Sequence, residues 1–186
     1  MAITHHLARH YSMVQGLKLL ILSTLLLSLM GCMKTIDYMV VGTGTHQGNK
    51  VHAGIIEFDG KWSAIGGIMT CCWEWGGGTQ SIYDIPAPKS VYVKWYDYEP
   101  KRYFEATVAL SDELYELATN LPTFEVIHNK RVEEHPDPYL IIGFGENGEV
   151  VVWISNSARD GHIKGRVLHE VGHAQAKVVE KETPRS

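Results

Sequence analysis

A β-rich α+β fold, with mostly antiparallel sheets and one main helix, is what this sequence predicts. Three observations predict it. Two faces alternate over residues 91–96 and again over 103–108, where Phe104, Ala106 and Val108 alternate with Tyr103, Glu105 and Thr107, the period of half-buried strands. Asp59-Gly60 and Asn147-Gly148 are hairpin-type turns set between apolar runs. Helical spacing shows clearly in one place, where Leu114, Leu117, Ala118 and Leu121 come after Ser111.

Tyr38-Met39-Val40-Val41 is a short apolar run and reads as the first strand. Gly42-Thr43-Gly44-Thr45-His46-Gln47-Gly48-Asn49-Lys50 resembles a phosphate-binding loop, but it lacks the Lys-Ser or Lys-Thr ending. Residues 51–58, next in the chain, are strand-like rather than a helix whose amides could hold phosphate. The stretch therefore reads as a flexible turn, and no nucleotide is implied. Residues 61–65 are expected to return from Asp59-Gly60, and residues 68–75 to form a further strand between the Gly66-Gly67 and Gly76-Gly77-Gly78 clusters. Ile85-Pro86-Ala87-Pro88 reads as a stiff connector.

Val91, Val93 and Trp95 then share one strand face, and Tyr92, Lys94 and Tyr96 the other. Pro100-Lys101 turns the chain into the returning strand. Ser111 is placed to cap the helix, Asp112 and Glu113 suit its positive end, and Pro122 ends it. Residues 124–138 are polar and read as a loop. Tyr139–Phe144 and Glu149–Ser155 are near-continuously apolar and read as strands covered on both faces. Residues 163–180 fit a strand or a helix.

The location of the protein is written at the start. Thirteen uncharged, leucine-rich residues, 19–31, come after Lys18 and end in Leu29-Met30-Gly31-Cys32. A basic start, an apolar core too short to span a bilayer and a small residue at the cut make an export signal, and this ending is a lipobox. The expected organisation is a signal peptide over 1–31, starting at Met1 or at Met13, a lipidated tether over 32–38, and a single domain over 39–186. Cys32 would carry the lipid, and two or more acyl chains anchor a protein stably. Met33, where an Asp would retain the protein at the inner membrane, favours the outer membrane, with the domain in the periplasm.

Removing the signal takes Arg9 and Lys18 and no acid, which leaves 15 basic and 21 acidic residues and a net charge of −6. A domain without a basic footprint argues against nucleic acid as a partner. Only Cys71 and Cys72 remain beside Cys32. Adjacent cysteines join through a ring that ordinary disulfide geometry disfavours, so two readings stand: small residues on a strand facing opposite ways, or a vicinal disulfide.

Several blocks occur in a fixed order. Gly66-Gly67 precedes Cys71-Cys72-Trp73 and Gly76-Gly77-Gly78. Val91, Val93 and Trp95 precede Tyr103-Phe104 and Ala106. Leu140-Ile141-Ile142-Gly143 leads through Gly148 to Val151-Val152-Trp153, and Glu170-Val171-Gly172 leads to Gln175-Ala176. Behind a lipobox, this set resembles the DUF2931 family of bacterial lipoproteins. The resemblance covers most of the mature chain and implies an envelope location and a β-rich domain, with no catalytic residues to carry over. It also implies an association, seen for some lipoproteins of this general kind, with lipase effectors of type VI secretion, which such proteins neutralise as immunity proteins.

Three groups of residues are candidates for chemistry. His169-Glu170-Val171-Gly172-His173 spells H-E-x-x-H, which on a helix places two histidines on a zinc ion with the glutamate as base. Only 13 residues come after it, so a third ligand would have to come from upstream, from His128, His135 or His162. On a strand the two histidines would point the same way but lie about 13 Å apart. The string therefore reads as accidental, with a zinc hydrolase as the weaker alternative. Trp73 and Trp75, beside the cysteines, form a candidate surface for glycan or lipid or else cover the edge of the core. Tyr92, Lys94, Tyr96 and Tyr98 form an aromatic and basic stripe suited to a partner protein or to water. No G-x-S-x-G marks a hydrolase nucleophile. The expectation is a non-enzymatic, membrane-anchored binding protein with no cofactor other than its lipid.

Overall fold

Period-two burial organises the chain. In β6 (Ser90–Asp97) every second residue, Val91, Val93, Trp95 and Asp97, is buried, and in the antiparallel β7 (Arg102–Ala109) Phe104, Ala106 and Val108 face the same way. The computed structural model describes residues 34–180 apart from Gly78 and Pro100. The expected signal segment and Cys32 lie outside the described residues, as do Gly78 of the glycine cluster and Pro100 of the expected turn.

Two sheets stack on a shared core. The first runs β13 (Leu168–Gln175), β11 (Glu149–Ser155), β10 (Tyr139–Phe144), β1 (Thr35–Thr45) and β5 (Thr79–Pro86). The second runs β14 (Lys177–Val179), β7, β6, β2 (Val51–Phe58) and β3 (Trp62–Ser63), with β4 (Gly67–Met69) also on β2. A small third sheet holds β12 (Ile163–Lys164), β8 (Phe124–Val126) and β9 (Arg131–Glu133). Among the described strands pairing is antiparallel except between β1 and β10, and an isolated parallel bridge joins Thr45 to Cys72. Ala176 carries the chain from β13 in one sheet to β14 in the other, closing that side of the sandwich.

The core between the sheets takes Leu140, Ile142 and Phe144 from β10, Val150, Val152 and Ile154 from β11, and Phe58, Val93 and Trp95 from the second sheet. The alternate residues Ile141, Val151 and Trp153 form a separate cluster on the outer face of the first sheet. This explains the unbroken apolar runs of β10 and β11, which are covered on both faces.

The structure corrects several local expectations. Residues 35–38 already belong to β1, so the strand begins within the expected tether. Gly42-Thr43-Gly44-Thr45 is the end of β1 rather than a turn. The stiff connector at Pro86 is the end of a full edge strand, β5, and an edge tolerates proline. Residues 71–75 do not extend β4; they form turns, with Cys72 at φ 80 and Glu74 at φ 62. Residues 124–138 contain the β8–β9 hairpin. The helix, α1, covers only Leu114–Thr119. The Ser111 hydroxyl accepts from the Glu113 amide at 3.1 Å, while Glu113 stands at the cap position and makes no side-chain bond there. Residues 163–180 resolve into strands β12–β14.

Candidate functional site

The outer end of β1 carries a built structure. Gly42 and Gly44 leave room for another backbone to lie directly on the strand. A Cβ on Gly44 would stand 1.9 Å from the Cys72 carbonyl oxygen, and one on Gly42 would stand 2.5 Å from Gly76 Cα. The segment 70–77 fills that room. Its Cys71 carbonyl accepts from Thr45 N at 2.8 Å, Gly77 N donates to Thr43 O at 2.9 Å, and Gly76 N donates to Ala158 O at 2.9 Å. The sequence that imitates a phosphate loop thus has Gly42 and Gly44 for close packing, while Gly48 turns the chain at φ 86.

Within this loop Cys71 and Cys72 are joined by a disulfide. Of the two readings of the pair, the bonded one is what the structure contains, and the opposite-facing strand arrangement is absent because the chain turns at Cys72. The Arg166 guanidinium caps the same loop by donating to the Glu74 carbonyl, and its Nε donates to Ser157 O at 3.3 Å. Burial lowers the Arg166 pKa from its ordinary value. Beside it Asn156, almost fully buried, donates to Pro122 O at 2.9 Å and Gly165 O at 3.0 Å and accepts from Val167 N at 3.0 Å.

The two loop tryptophans have different roles. Trp73 packs on the outer cluster, edge-on to Trp153 with ring centroids 5.0 Å apart, and His46 stacks on it at 4.0 Å. Gly143 and Gly145 make room for the ring, since a Cβ on Gly143 would reach Trp73 at 2.8 Å and Trp153 at 2.5 Å. Trp73 therefore covers the sheet, whereas Trp75 remains 40% exposed.

At the same end of the sandwich a polar cleft of about 370 Å³ is lined by Gln47, Asn49, Asp97, Glu99, Glu146 and Asn147. Three connections meet there: β1–β2, β6–β7 and β10–β11. Asp97 is 3% exposed, and its carboxylate accepts from Glu99 N at 3.1 Å. Burial, reinforced by Glu99 and Glu146, raises its pKa despite that bond. Thr45 Oγ1 donates to Phe144 O at 2.7 Å and accepts from Asn49 Nδ2 at 3.2 Å, tying the first loop to the first sheet. These residues are scattered over a hundred positions as ordinary turn residues, and no spacing marks them in the sequence.

The other predicted residues fall elsewhere. Tyr92 and Tyr96 lie on the outer face of the second sheet, the opposite side of the sandwich from Trp73 and Trp75, so the four do not make one surface. The Tyr92 hydroxyl donates to Glu105 Oε2 at 2.9 Å, and Glu105 also pairs with Lys177 at 2.9 Å. Those bonds, Lys177 first and Tyr92 second, hold the Glu105 pKa down. Tyr96 heads a cross-strand row of Val179, Tyr103, Tyr96, His52 and Ile68, with Tyr98 edge-on at 5.0 Å.

H-E-x-x-H lies on strand β13, not on a helix. A register shift opposite Val152 and Trp153 makes Val171 a bulge. His169 pairs with Ile154, an inward residue, while His173 pairs with Val151, an outward one. The expectation that both would point the same way on a strand is therefore corrected: the bulge sends them to opposite faces. His173 instead stands 3.7 Å from Glu149 and 3.6 Å from Glu170. Gly172 is required for packing, since a Cβ there would meet Val108 at 2.8 Å and the Ala109 carbonyl at 2.9 Å. Among the described residues no group of three or more His, Cys, Asp or Glu side chains is placed to hold a metal ion. No family model, curated protein or solved structure matches this chain.

Proposed function

We propose that this chain is a lipid-anchored binding protein of the bacterial outer membrane, facing the periplasm, that works by holding a partner protein rather than by catalysis. The observation that carries the reading is the disulfide-bridged loop, which is bonded onto β1 through its backbone and presents Trp75 exposed on its surface. A tryptophan fixed before binding loses little conformational freedom on contact, and such residues dominate protein interfaces. The lipobox at Cys32 supports the location. The Cys71–Cys72 bond supports it independently, because disulfides persist in oxidising compartments such as the periplasm.

The partner we favour is a lipase effector delivered into the periplasm, which this protein would neutralise. The resemblance to DUF2931 lipoproteins supports that choice. The test is co-expression with a lipase encoded by an adjacent reading frame, both directed to the periplasm. Growth rescue by the wild type, lost in Trp75→Ala, is the expected result. Purified mature protein that neither binds nor inhibits such a lipase would refute the reading.

A second reading, an envelope protein binding glycan or lipid, draws on the same exposed Trp75. Retention on peptidoglycan or lipid vesicles, lost in Trp75→Ala, would favour it. A zinc hydrolase gains no support from histidines sent to opposite faces of a strand.

A further inference from the structure

We infer that one end of the sandwich rests on the lipid surface, and that the disulfide loop and the polar cleft are thereby presented away from it. The inference rests on the lipidation of Cys32 proposed above and adds an orientation to it.

The two sheets share their ends. At one end Thr35 pairs with Pro86, and Phe58 pairs with Val91, which in turn pairs with Val108. Asp59 accepts from the amides of Lys89 at 3.1 Å and Ser90 at 2.9 Å, and Ala87 N donates to Lys34 O at 3.0 Å, so these termini form one face. At the other end Thr45 pairs with Phe144, Val51 with Asp97, and Asp97 with Arg102. The eleven residues of β1 separate the two ends by about 33 Å.

The chain is fastened to the domain as early as Lys34. Its ammonium bonds Glu116 at 2.6 Å and stands 5.1 Å from the centre of the Tyr115 ring. The Glu116 bond, opposed in part by desolvation, raises the Lys34 pKa. Met33 is then the single residue between the lipidated cysteine and a fixed position. Two residues of extended chain span about 7 Å, comparable to the roughly 5–7 Å depth of one headgroup layer. A domain held this close has no room to turn over. Lys89, Asp59 and Tyr115 meet the headgroups, and Gln47, Glu146 and Trp75 meet whatever approaches from the periplasm.

The test uses the full chain, processed in cells and reconstituted in phosphatidylethanolamine–phosphatidylglycerol vesicles that contain a headgroup-labelled quencher lipid. One fluorophore is placed at Lys89→Cys, with Lys61→Cys as the alternative near-end site should that variant misfold, and another at Gln47→Cys. The near-end probe is expected to lose most of its emission and the far-end probe to keep nearly all of its own. Inserting about 20 Gly/Ser residues after Met33 gives the tether a reach of about 25 Å and should abolish the difference. Equal quenching at both ends of protein whose mass confirms the lipid would overturn the orientation alone. So would a difference that survives the long linker. A bare Cys32 by mass would overturn the lipoprotein reading itself, and this inference with it.

Discussion

Replacing Gly44 by alanine tests the idea that the disulfide loop is laid directly on β1. The new Cβ would lie 1.9 Å from Cys72 O, 2.6 Å from Cys72 C and 2.9 Å from Trp75 O. All three are backbone atoms, so no rotamer change relieves them. Restoring an ordinary contact of 3.4 Å requires the loop to lift by about 1.5 Å, which breaks the bonds from Thr45 N to Cys71 O and from Gly77 N to Thr43 O. Two such bonds contribute about 1 kcal/mol each, and forced overpacking costs about 1–3 kcal/mol. The expected loss is therefore about 3–5 kcal/mol, or about 10–15 °C in Tm for a domain of this size. Urea denaturation of the mature domain, monitored by tryptophan emission, measures it, because Trp73 and Trp153 report on the loop. Gly161→Ala is the control: nothing lies within 4 Å of its added Cβ, and less than about 0.5 kcal/mol should be lost. A Gly44→Ala protein within about 1 kcal/mol of wild type, with an unchanged emission spectrum, would refute the reasoning.

Three further outcomes are expected. Trp73→Ala should cost about 2–3 kcal/mol by uncovering Ile141, Val151 and Trp153, whereas Trp75→Ala should cost under about 0.5 kcal/mol; equal losses in urea melts would contradict this division of roles. Asn156→Ala should cost about 3 kcal/mol, since it strands two carbonyls and an amide, and a near-neutral melt would show that water replaces the side chain. For Asp97, burial raises the folded pKa above the ordinary 3.8, so the folded chain holds the proton to higher pH than the unfolded chain does. Its contribution is fully present below the unfolded value and is lost as pH rises through the folded one. Asp97→Asn should remove that falling limb, so that its stability gains on wild type with rising pH across that window; parallel stability–pH curves would count against it.

The fold class was legible because it rests on local patterns. Alternation from Val91 to Tyr96 survives as β6, and Asn147 adopts the positive φ of 57 that its turn requires. Hidden elements were those whose backbone conformation is set by neighbours. The end of β5, Ile85-Pro86, reads as part of a stiff connector until β1 is seen to pair with the strand along seven positions. The helix is shorter than its spacing suggests: Leu117 and Leu121 keep the helical period, yet the helix ends at Thr119, before the Pro122 stop. The candidate site was legible only in part. Trp75 and the cysteine pair stood out by composition, but the separation of Trp73 and Trp75 from Tyr92 and Tyr96 comes from sheet membership, which no single strand encodes.

Alternation and turn chemistry are short-range, so the linear order of residues alone determined a β-rich, mostly antiparallel domain. Contacts between distant segments decided the rest: the loop seated on Gly42 and Gly44, the bulge that parts His169 from His173, and the cleft assembled from three turns. The physical reason is that these features depend on how closely two backbones approach and which face each strand turns inward. Both are settled when the sheets pack and not before.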